Sequence, residues 1–175
     1  MPGAVARIRP AAPADIDDLL GLIRALAVYE RLEHELDLEP TRMVDAMFGR
    51  RPFVEGLVAV VDDDDAPNAG KTVGCALCFK SFSTFLTRPG LYLEDLFVLP
   101  DYRGRGIGLA LLRAVCAQAA ARGYGRVEWS VLDWNAPAIA FYRRLGAVHH
   151  PEWQRFRLEG ASLEQVAAQM DAPGG

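Results

Sequence analysis

The stretch from Tyr92 to Leu112 constrains the fold of this 175-residue chain most, because it joins a strand, a tight turn and a helix. The strand half, Leu91 to Leu99, consists mostly of branched and aromatic residues, which favour extended structure. Two adjacent carboxylates, Glu94 and Asp95, interrupt its apolar run. From about residue 107 onward the sequence is rich in good helix formers. We therefore expect this strand–turn–helix unit to lie at the centre of an α/β or α+β domain.

The turn itself has glycine at every second position, Gly104, Gly106 and Gly108, with Arg103 and Arg105 before the first two. Glycines let the backbone approach a ligand closely, and the N–H groups at the start of the following helix are unpaired. The pattern is therefore typical of a phosphate or pyrophosphate site, but it also fits an ordinary turn with two solvated arginines. A P-loop is excluded because no Lys-Ser/Thr pair follows, and the spacing is not the G-x-G-x-x-G of dinucleotide-binding folds.

Several motifs around the turn occur in an order that matches one known family. The segment from Arg103 to Gly108 fits Arg/Gln-x-x-Gly-x-Gly/Ala, the signature with which GNAT acetyltransferases hold the pyrophosphate of acetyl-coenzyme A. Over roughly residues 7–158 the chain resembles the diamine acetyltransferases of the spermidine/spermine and thialysine types. The motifs are YLEDLFV at 92–98, DYRGRGIG at 101–108, VLDWN at 131–135 and AFYRRLGA at 140–147.

This resemblance implies a GNAT fold, in which helices flank a central mixed, mostly antiparallel twisted sheet. It also implies acetyl-CoA as the cosubstrate, no metal, a small cationic amine as the acceptor, and a homodimer. Coenzyme binding falls on backbone N–H groups of the central strand, on the glycine turn and on two residues further along the chain. These residues are Leu96, Phe97, Val98, Arg103, Gly104, Arg105, Gly106, Ile107, Gly108, Leu109, Asn135 and Tyr142.

The chemistry of acetyl transfer needs a neutral amine, although an amine like that of Lys, with a pKa of about 10.4, is mostly protonated at neutral pH. By resemblance Glu94 is the general base, acting through water, while Asp95 lines the amine site or supports the sheet. Adjacent strand residues point to opposite faces, so we expect one of the two carboxylates to face the reaction. By resemblance Tyr142 is the general acid toward the coenzyme sulfur; without the resemblance it would be interpreted as a core aromatic.

Five acidic residues crowd the end of the first predicted helix and the loop after it, over residues 30–39. A solvated helix end explains them, and so does an acidic lip that attracts a cationic amine. Tyr29 and Glu30 stand where the diamine acetyltransferases have a similar Tyr-Glu near the substrate amine. By resemblance they join Glu94 and Asp95 as substrate-binding residues.

A chain of this length is most simply one domain, which we place at residues 1–171 with a disordered tail at 172–175. The net charge of −4 argues mildly against a nucleic-acid binder. No long apolar segment suggests a signal peptide or membrane span, so we expect a cytoplasmic protein without nucleic-acid or membrane partners. Cys75 and Cys78 form a C-x-x-C pattern, but in a strand they point to opposite faces and do not suit a shared metal or a disulfide.

Hydrophobic periodicity and breaker residues predict strands and helices along the whole chain. Strands are expected at 4–9, 53–61, 71–82, 91–99, 126–132 and 153–158, and helices at 13–31, 40–48, 107–122, from 135 onward and at 162–170.

The leading functional hypothesis is an acetyl-CoA-dependent N-acetyltransferase that acts on a primary amine by direct transfer in a ternary complex. A coenzyme A-binding sensor without catalysis is one alternative, and an acetyltransferase of protein amines is another. Coenzyme binding without turnover would distinguish the first alternative, and a comparison of free and peptide amines the second.

Overall fold

The structure, a computed structural model, describes residues 6–62 and 68–168. The chain groups into two compact units that divide after Leu132. The segment DDDAP at residues 63–67 and the tail predicted at 172–175 lie outside the described residues.

The first unit is built on a five-stranded sheet whose strands neighbour one another in chain order. The first four strands pair antiparallel, and the fifth pairs parallel to the fourth. The sheet is therefore mixed and mostly antiparallel, which confirms the predicted fold class. Its strands are β1 (Ala6–Pro10), β2 (Val54–Val61), β3 (Thr72–Ser83), β4 (Arg88–Val98) and β5 (Val127–Glu128).

Helices cover both faces of this sheet: α1 (Ile16–Glu30) and α2 (Pro40–Phe48) one face, and α3 (Ile107–Ala121) the other. Cys75 belongs to the core under α1, whereas a Cβ added to Gly74 would lie 3.4 Å from Leu111 of α3. Successive strand residues point to opposite faces, so β3 lies between the two helical layers. Each fully buried aliphatic side chain contributes about 1.5–3 kcal/mol, which fixes α1 on the sheet. The core under α1 contains Ile16, Leu19, Leu20, Leu22, Met47, Val58, Val60, Cys75, Leu77 and Phe97.

Strand β4 contains a β-bulge at Glu94. Leu77 pairs with Asp95, whereas the next residue of β3, Cys78, pairs with Leu93, so Glu94 is an extra residue on β4. A bulge of this kind breaks the alternation of side chains and redirects those beside it. Asp95 therefore shares a face of the sheet with Leu77, which is the face that α1 covers.

Beyond the bulge, one edge of β4 presents backbone N–H groups that no strand in the described part of the chain pairs. β5 pairs only with residues 91–92. The Leu99 N–H donates to the Val73 carbonyl on β3 at 2.9 Å. Backbone N–H groups alternate in direction along a strand, so those of Leu96 and Val98 point away from β3. We call this the free edge of β4.

The second unit contains helices α4 (Ala136–Arg144) and α5 (Gly160–Ala168). The side-chain oxygen of Asn135 accepts a hydrogen bond from the Ala138 N–H at 3.3 Å, and Pro137 lies in the first turn, so α4 begins where the sequence predicts. The predicted strand at residues 153–158 is wrong. Within the described part of this unit no strand pairs with it, and an isolated strand has no partner for its hydrogen bonds.

Among the described helices, none is long and apolar enough to span a membrane.

Candidate active site

Glu94 and Asp95 both line one cavity of about 210 Å³ in the first unit. Because the bulge interrupts the regular alternation of β4 at Glu94, which of the two carboxylates faces the reaction stays a prediction. An apolar pocket with a few polar groups is the usual form of a small-molecule site. The other lining residues are Ile23, Met43, Val54, Leu77, Cys78 and Phe79.

Charge repulsion is concentrated at this cavity. Burial first, and then the negative charges of Glu94 and Glu30, raise the pKa of Asp95 to about 6. Burial also raises the pKa of Glu30, on the last turn of α1. Two carboxylates at a partly apolar cavity, with the charge of Glu30 close enough to act on Asp95, oppose ionisation of Asp95 unless a cation lies near them. The cluster is therefore suited to a positively charged group.

Tyr29 and Glu30 reach this position because α1 ends immediately after them. Arg31 adopts a left-handed conformation with φ 62°, which stops the helix. The Tyr29 ring packs toward the sheet, with its centroid 6.5 Å from that of Phe97. The two residues predicted from the end of α1 thus lie on the same face of the sheet as Asp95.

The acidic residues that follow Glu30 include two with structural roles. Asp37 pairs with Arg42 at 2.9 Å. Glu39 caps α2 by accepting hydrogen bonds from the N–H groups of Thr41 and Arg42 at 3.2 and 3.1 Å, and it also accepts one from the Thr41 hydroxyl. These bonds, first that of the Thr41 hydroxyl, lower the pKa of Glu39. For Asp37 and Glu39, these structural roles therefore explain the acidic side chains without an acidic lip for the substrate.

The glycine turn leaves open space over its backbone. Gly104 (φ 73°) and Gly106 (φ 83°) adopt left-handed conformations, and a Cβ at either would meet no atom within 4 Å. Gly106 precedes α3 without a side-chain cap, so the first N–H groups of α3 have no partner within the helix. Unpaired N–H groups and the positive end of the helix dipole favour an anion. The loop therefore fits the pyrophosphate that the family signature implies.

The side chain of Arg103 points away from the glycine turn, toward Tyr29 and Phe97. Its guanidinium carbon lies 4.3 Å from the ring centroid of Tyr29 and 5.3 Å from that of Phe97. Its Nε donates to the Val98 carbonyl at 2.9 Å. Sequence reasoning placed this arginine at the phosphate, whereas its side chain contacts the residues beside the carboxylate cavity.

The other side chains of the turn stay with the turn and with α3. The Arg105 guanidinium lies 5.3 Å from the Tyr102 ring centroid and donates to the Asp101 carbonyl at 3.0 Å. Ile107 is buried and Leu109 is half-buried, which holds the start of α3 against the core.

Asn135 and Tyr142 lie in the second unit. Asn135 is buried, and its side-chain oxygen caps α4. Tyr142 is half-buried two turns further along α4, with its ring centroid 5.3 Å from that of Phe141. Their roles toward the coenzyme stay predictions from the resemblance.

Sequence reasoning missed Met43 as part of the cavity. Met43 lies one turn before the buried Met47 on α2, and this four-residue spacing could have identified the sheet-facing side of the helix. Cys75 and Cys78 are buried free thiols. Within residues 6–62 and 68–168, no group of three or more His, Cys, Asp or Glu side chains is placed to hold a metal ion.

Known proteins resemble this chain over most of its length. The profile of the acetyltransferase (GNAT) family matches residues 19–147. A thialysine N-epsilon-acetyltransferase of Mus musculus is 36% identical over 168 residues, covering 94% of this chain and 98% of the mouse protein. An L-ornithine N5-acetyltransferase of Arabidopsis thaliana is 32% identical, covering 91% of this chain and 87% of the plant protein. Among solved structures, an integron cassette protein of V. cholerae superposes with a TM-score of 0.75 at 25% identity, covering 94% of this chain and 99% of its own.

Proposed function

The chain belongs to the GNAT family and is an N-acetyltransferase, and we propose that its acceptor is a primary amine of a small amine or diamine, either a polyamine or a lysine-like amino acid. The acetyl group comes from acetyl-CoA and passes directly to the amine in a ternary complex. The relatives named for thialysine and for L-ornithine support an acceptor of this kind, because the chain covers most of their length.

The observation that carries this proposal is the pair of carboxylates at the cavity, Glu94 and Asp95, together with the charge of Glu30, which acts on Asp95. At neutral pH, above its pKa of about 6, Asp95 is ionised and is repelled by its neighbours. A protonated amine offsets that repulsion, whereas an anionic acceptor would add to it. A larger groove of about 700 Å³ shares Val54 and Phe79 with the cavity and offers room for the rest of a diamine.

The chain's own residues supply the proton transfers. The reaction forms a bond between the amine nitrogen and the acetyl carbon and breaks the bond from that carbon to sulfur. Asp95 and Glu30 hold the protonated acceptor beforehand with Tyr29 beside them, and Glu94, through a water molecule, accepts the proton that the ammonium group loses before it attacks. The second proton, which the nitrogen loses after attack, restores the Tyr142 hydroxyl once that group has protonated the sulfur. The resemblance assigns to Tyr142 the proton that the leaving sulfur takes up.

Acetyl-CoA supplies an activated acetyl group as a thioester. We assign its pyrophosphate to the backbone N–H groups of residues 103–109. We assign its carbonyl and pantetheine amides to residues 96–98, foremost to the N–H groups on the free edge of β4. Asn135 is assigned to the pantetheine by resemblance alone.

At the level of the whole chain we propose one acetyltransferase domain over residues 1–171, because the family match crosses the division at Leu132. We also propose a homodimer. Large apolar side chains stay exposed in the second unit, and exposed apolar surface of this kind often marks an interface. They are Trp153, Phe156, Leu158, Leu163 and Val166.

The test is thiol release from acetyl-CoA with a panel of acceptors: spermidine, spermine, putrescine, lysine, thialysine, ornithine and a lysine peptide. We expect turnover with at least one free amine, and double-reciprocal lines that intersect, as direct transfer in a ternary complex requires. Parallel lines would instead indicate an acetyl-enzyme and contradict direct transfer.

The remaining outcomes separate the alternatives. Faster turnover of the peptide than of every free amine would indicate a protein acceptor. Coenzyme A binding in calorimetry without turnover of any acceptor would support the non-catalytic sensor. Absence of coenzyme binding would show that the assignment of the glycine turn is wrong.

A further inference from the structure

We propose that Arg103 is a positioning residue of the amine site and that its side chain is not a ligand of the coenzyme pyrophosphate. The guanidinium braces Tyr29 against the sheet and thereby fixes the neighbouring Glu30 beside Asp95. This inference rests on the proposed function, because it concerns the amine that the proposal places at these residues.

Three contacts fix the Arg103 side chain. Its guanidinium lies over the Tyr29 ring at 4.3 Å, within the range of a cation–π contact, and 5.3 Å from the Phe97 ring centroid. Its Nε donates to the Val98 carbonyl at 2.9 Å. Tyr29 belongs to α1 and the other two partners to β4, so the side chain connects the end of the helix to the strand.

The end of α1 needs such a connection. The N–H groups of Arg31 and Leu32 close the last turn by donating to the Val28 and Ala27 carbonyls, but these bonds fix the backbone and not the side chains of Tyr29 and Glu30. Glu30 also lies close enough to Asp95 to raise the pKa of that carboxyl, which means that the two charges repel each other. Repulsion would drive the Glu30 side chain away from Asp95, and the contact of Arg103 with the adjacent Tyr29 opposes that movement.

Arg105 provides the comparison within the same turn. Its guanidinium packs on Tyr102 at 5.3 Å and donates to the Asp101 carbonyl at 3.0 Å, so it contacts residues just before the glycines. The two arginines carry equal charge and lie two positions apart, but only Arg103 contacts α1. Substitution of either removes one positive charge from the turn, and only the loss at Arg103 removes the brace.

The first experiment compares Arg103→Gln, Arg103→Lys and Arg105→Gln in steady-state kinetics and in coenzyme A calorimetry. For Arg103→Gln we expect the KM of the amine to rise about tenfold, with the Kd of coenzyme A changed no more than in Arg105→Gln. Arg103→Lys should recover part of the amine KM, because it keeps a cation over the Tyr29 ring but loses the planar fork. For Arg105→Gln we expect a weaker coenzyme Kd and an unchanged amine KM.

The second experiment is a double-mutant cycle of Arg103→Gln and Tyr29→Leu in urea unfolding, which does not depend on activity. We expect the double variant to lose less than the sum of the single losses in midpoint. If the loss of the double variant equals the sum of the two single losses, the Arg103 and Tyr29 side chains do not interact, and the proposed contact is wrong.

A coenzyme Kd that rises more in Arg103→Gln than in Arg105→Gln, with the amine KM unchanged, would overturn the positioning role and restore the pyrophosphate role. That result leaves the proposed function intact, because the wild-type protein still turns over. A wild-type protein that acetylates no amine would overturn both.

Discussion

Asp95 is expected to weaken the folded state at neutral pH while it serves the amine site. Its pKa is about 6 in the folded protein, against about 3.9 in an unfolded chain. Between about pH 4 and 6 the folded state therefore holds a proton that the unfolded state has released. The stability from this proton is present below about pH 4 and is lost as the pH rises through about 6.

We therefore predict that Asp95→Asn raises the free energy of unfolding by about 1–2 kcal/mol at pH 7.5, allowing for partial solvent screening, and changes it little near pH 4. Urea denaturation at the two pH values measures this. The control is Asp45→Asn, which removes an exposed carboxylate on α2 and should change the free energy of unfolding by no more than about 0.5 kcal/mol at pH 7.5. An equal effect of Asp95→Asn at both pH values would contradict a raised pKa.

Glu94 and Tyr142 are predicted to act on the chemical step. Glu94→Gln should lower kcat by about 10²-fold or more, and Tyr142→Phe by about 10-fold or more, because each removes a group that transfers a proton. Coenzyme A affinity, measured by calorimetry, should stay within about threefold of wild type in both. Asp95→Asn should differ by raising the KM of the amine more than it lowers kcat. Full kcat in both Glu94→Gln and Tyr142→Phe would show that the assigned proton donors and acceptors are wrong.

At the scale of single elements, we predict that a substitution at Gly106 in the glycine turn lowers both the stability of the fold and the affinity for coenzyme A. Gly106 has φ 83°, so alanine there is strained and should destabilise the fold by about 1 kcal/mol. The added methyl group also projects into the open space where we place the pyrophosphate, so the affinity for coenzyme A should fall. Thermal unfolding and calorimetry measure the two effects.

The matched control is Gly123, which follows α3 with φ 69° and likewise has no atom within 4 Å of an added Cβ. Gly123→Ala should cost similar stability and leave coenzyme affinity unchanged. If the two variants bind coenzyme A equally well, the turn is not the pyrophosphate site.

Some elements could be predicted from sequence because their signals are local. The start of α4 follows from Asn135 and Pro137, and the strand–turn–helix unit follows from a run of apolar residues and three glycines. The bulge at Glu94 could not be predicted this way, because it depends on how β4 aligns with β3. A one-residue change of register moves a side chain to the other face. The argument from strand alternation therefore does not apply across Glu94 and Asp95.

At the scale of the whole molecule, the order of the motifs was enough to predict the fold class, because each motif belongs to an element of the sheet. The composition of the candidate site depended on the family resemblance. Tyr29 and Glu30 are far from Asp95 in sequence, and only the resemblance placed them at the amine site, because their proximity is a tertiary property of α1 on the sheet. The contact of Arg103 with Tyr29 is of the same kind, since the glycine signature describes the backbone of the turn and not the direction of its first side chain.

The failed prediction of a strand at residues 153–158 bears on the proposed dimer. This segment has apolar side chains at 153, 156 and 158, and Trp153 is 73% exposed and Phe156 is 88% exposed. Large exposed apolar side chains suit an interface with a second copy, because a partner can bury them. We therefore predict a species of twice the 19.2 kDa chain mass in analytical ultracentrifugation.

Phe156→Glu should convert this dimer to a monomer, because the interface would have to bury an unpaired carboxylate. The control is Phe85→Glu, since Phe85 is 91% exposed at the turn between β3 and β4 and is equally large. It should leave the dimer unchanged. A monomeric wild-type protein at micromolar concentration would overturn the dimer. Dissociation by Phe85→Glu, with Phe156→Glu still dimeric, would instead move the interface from the second unit to the β3–β4 turn.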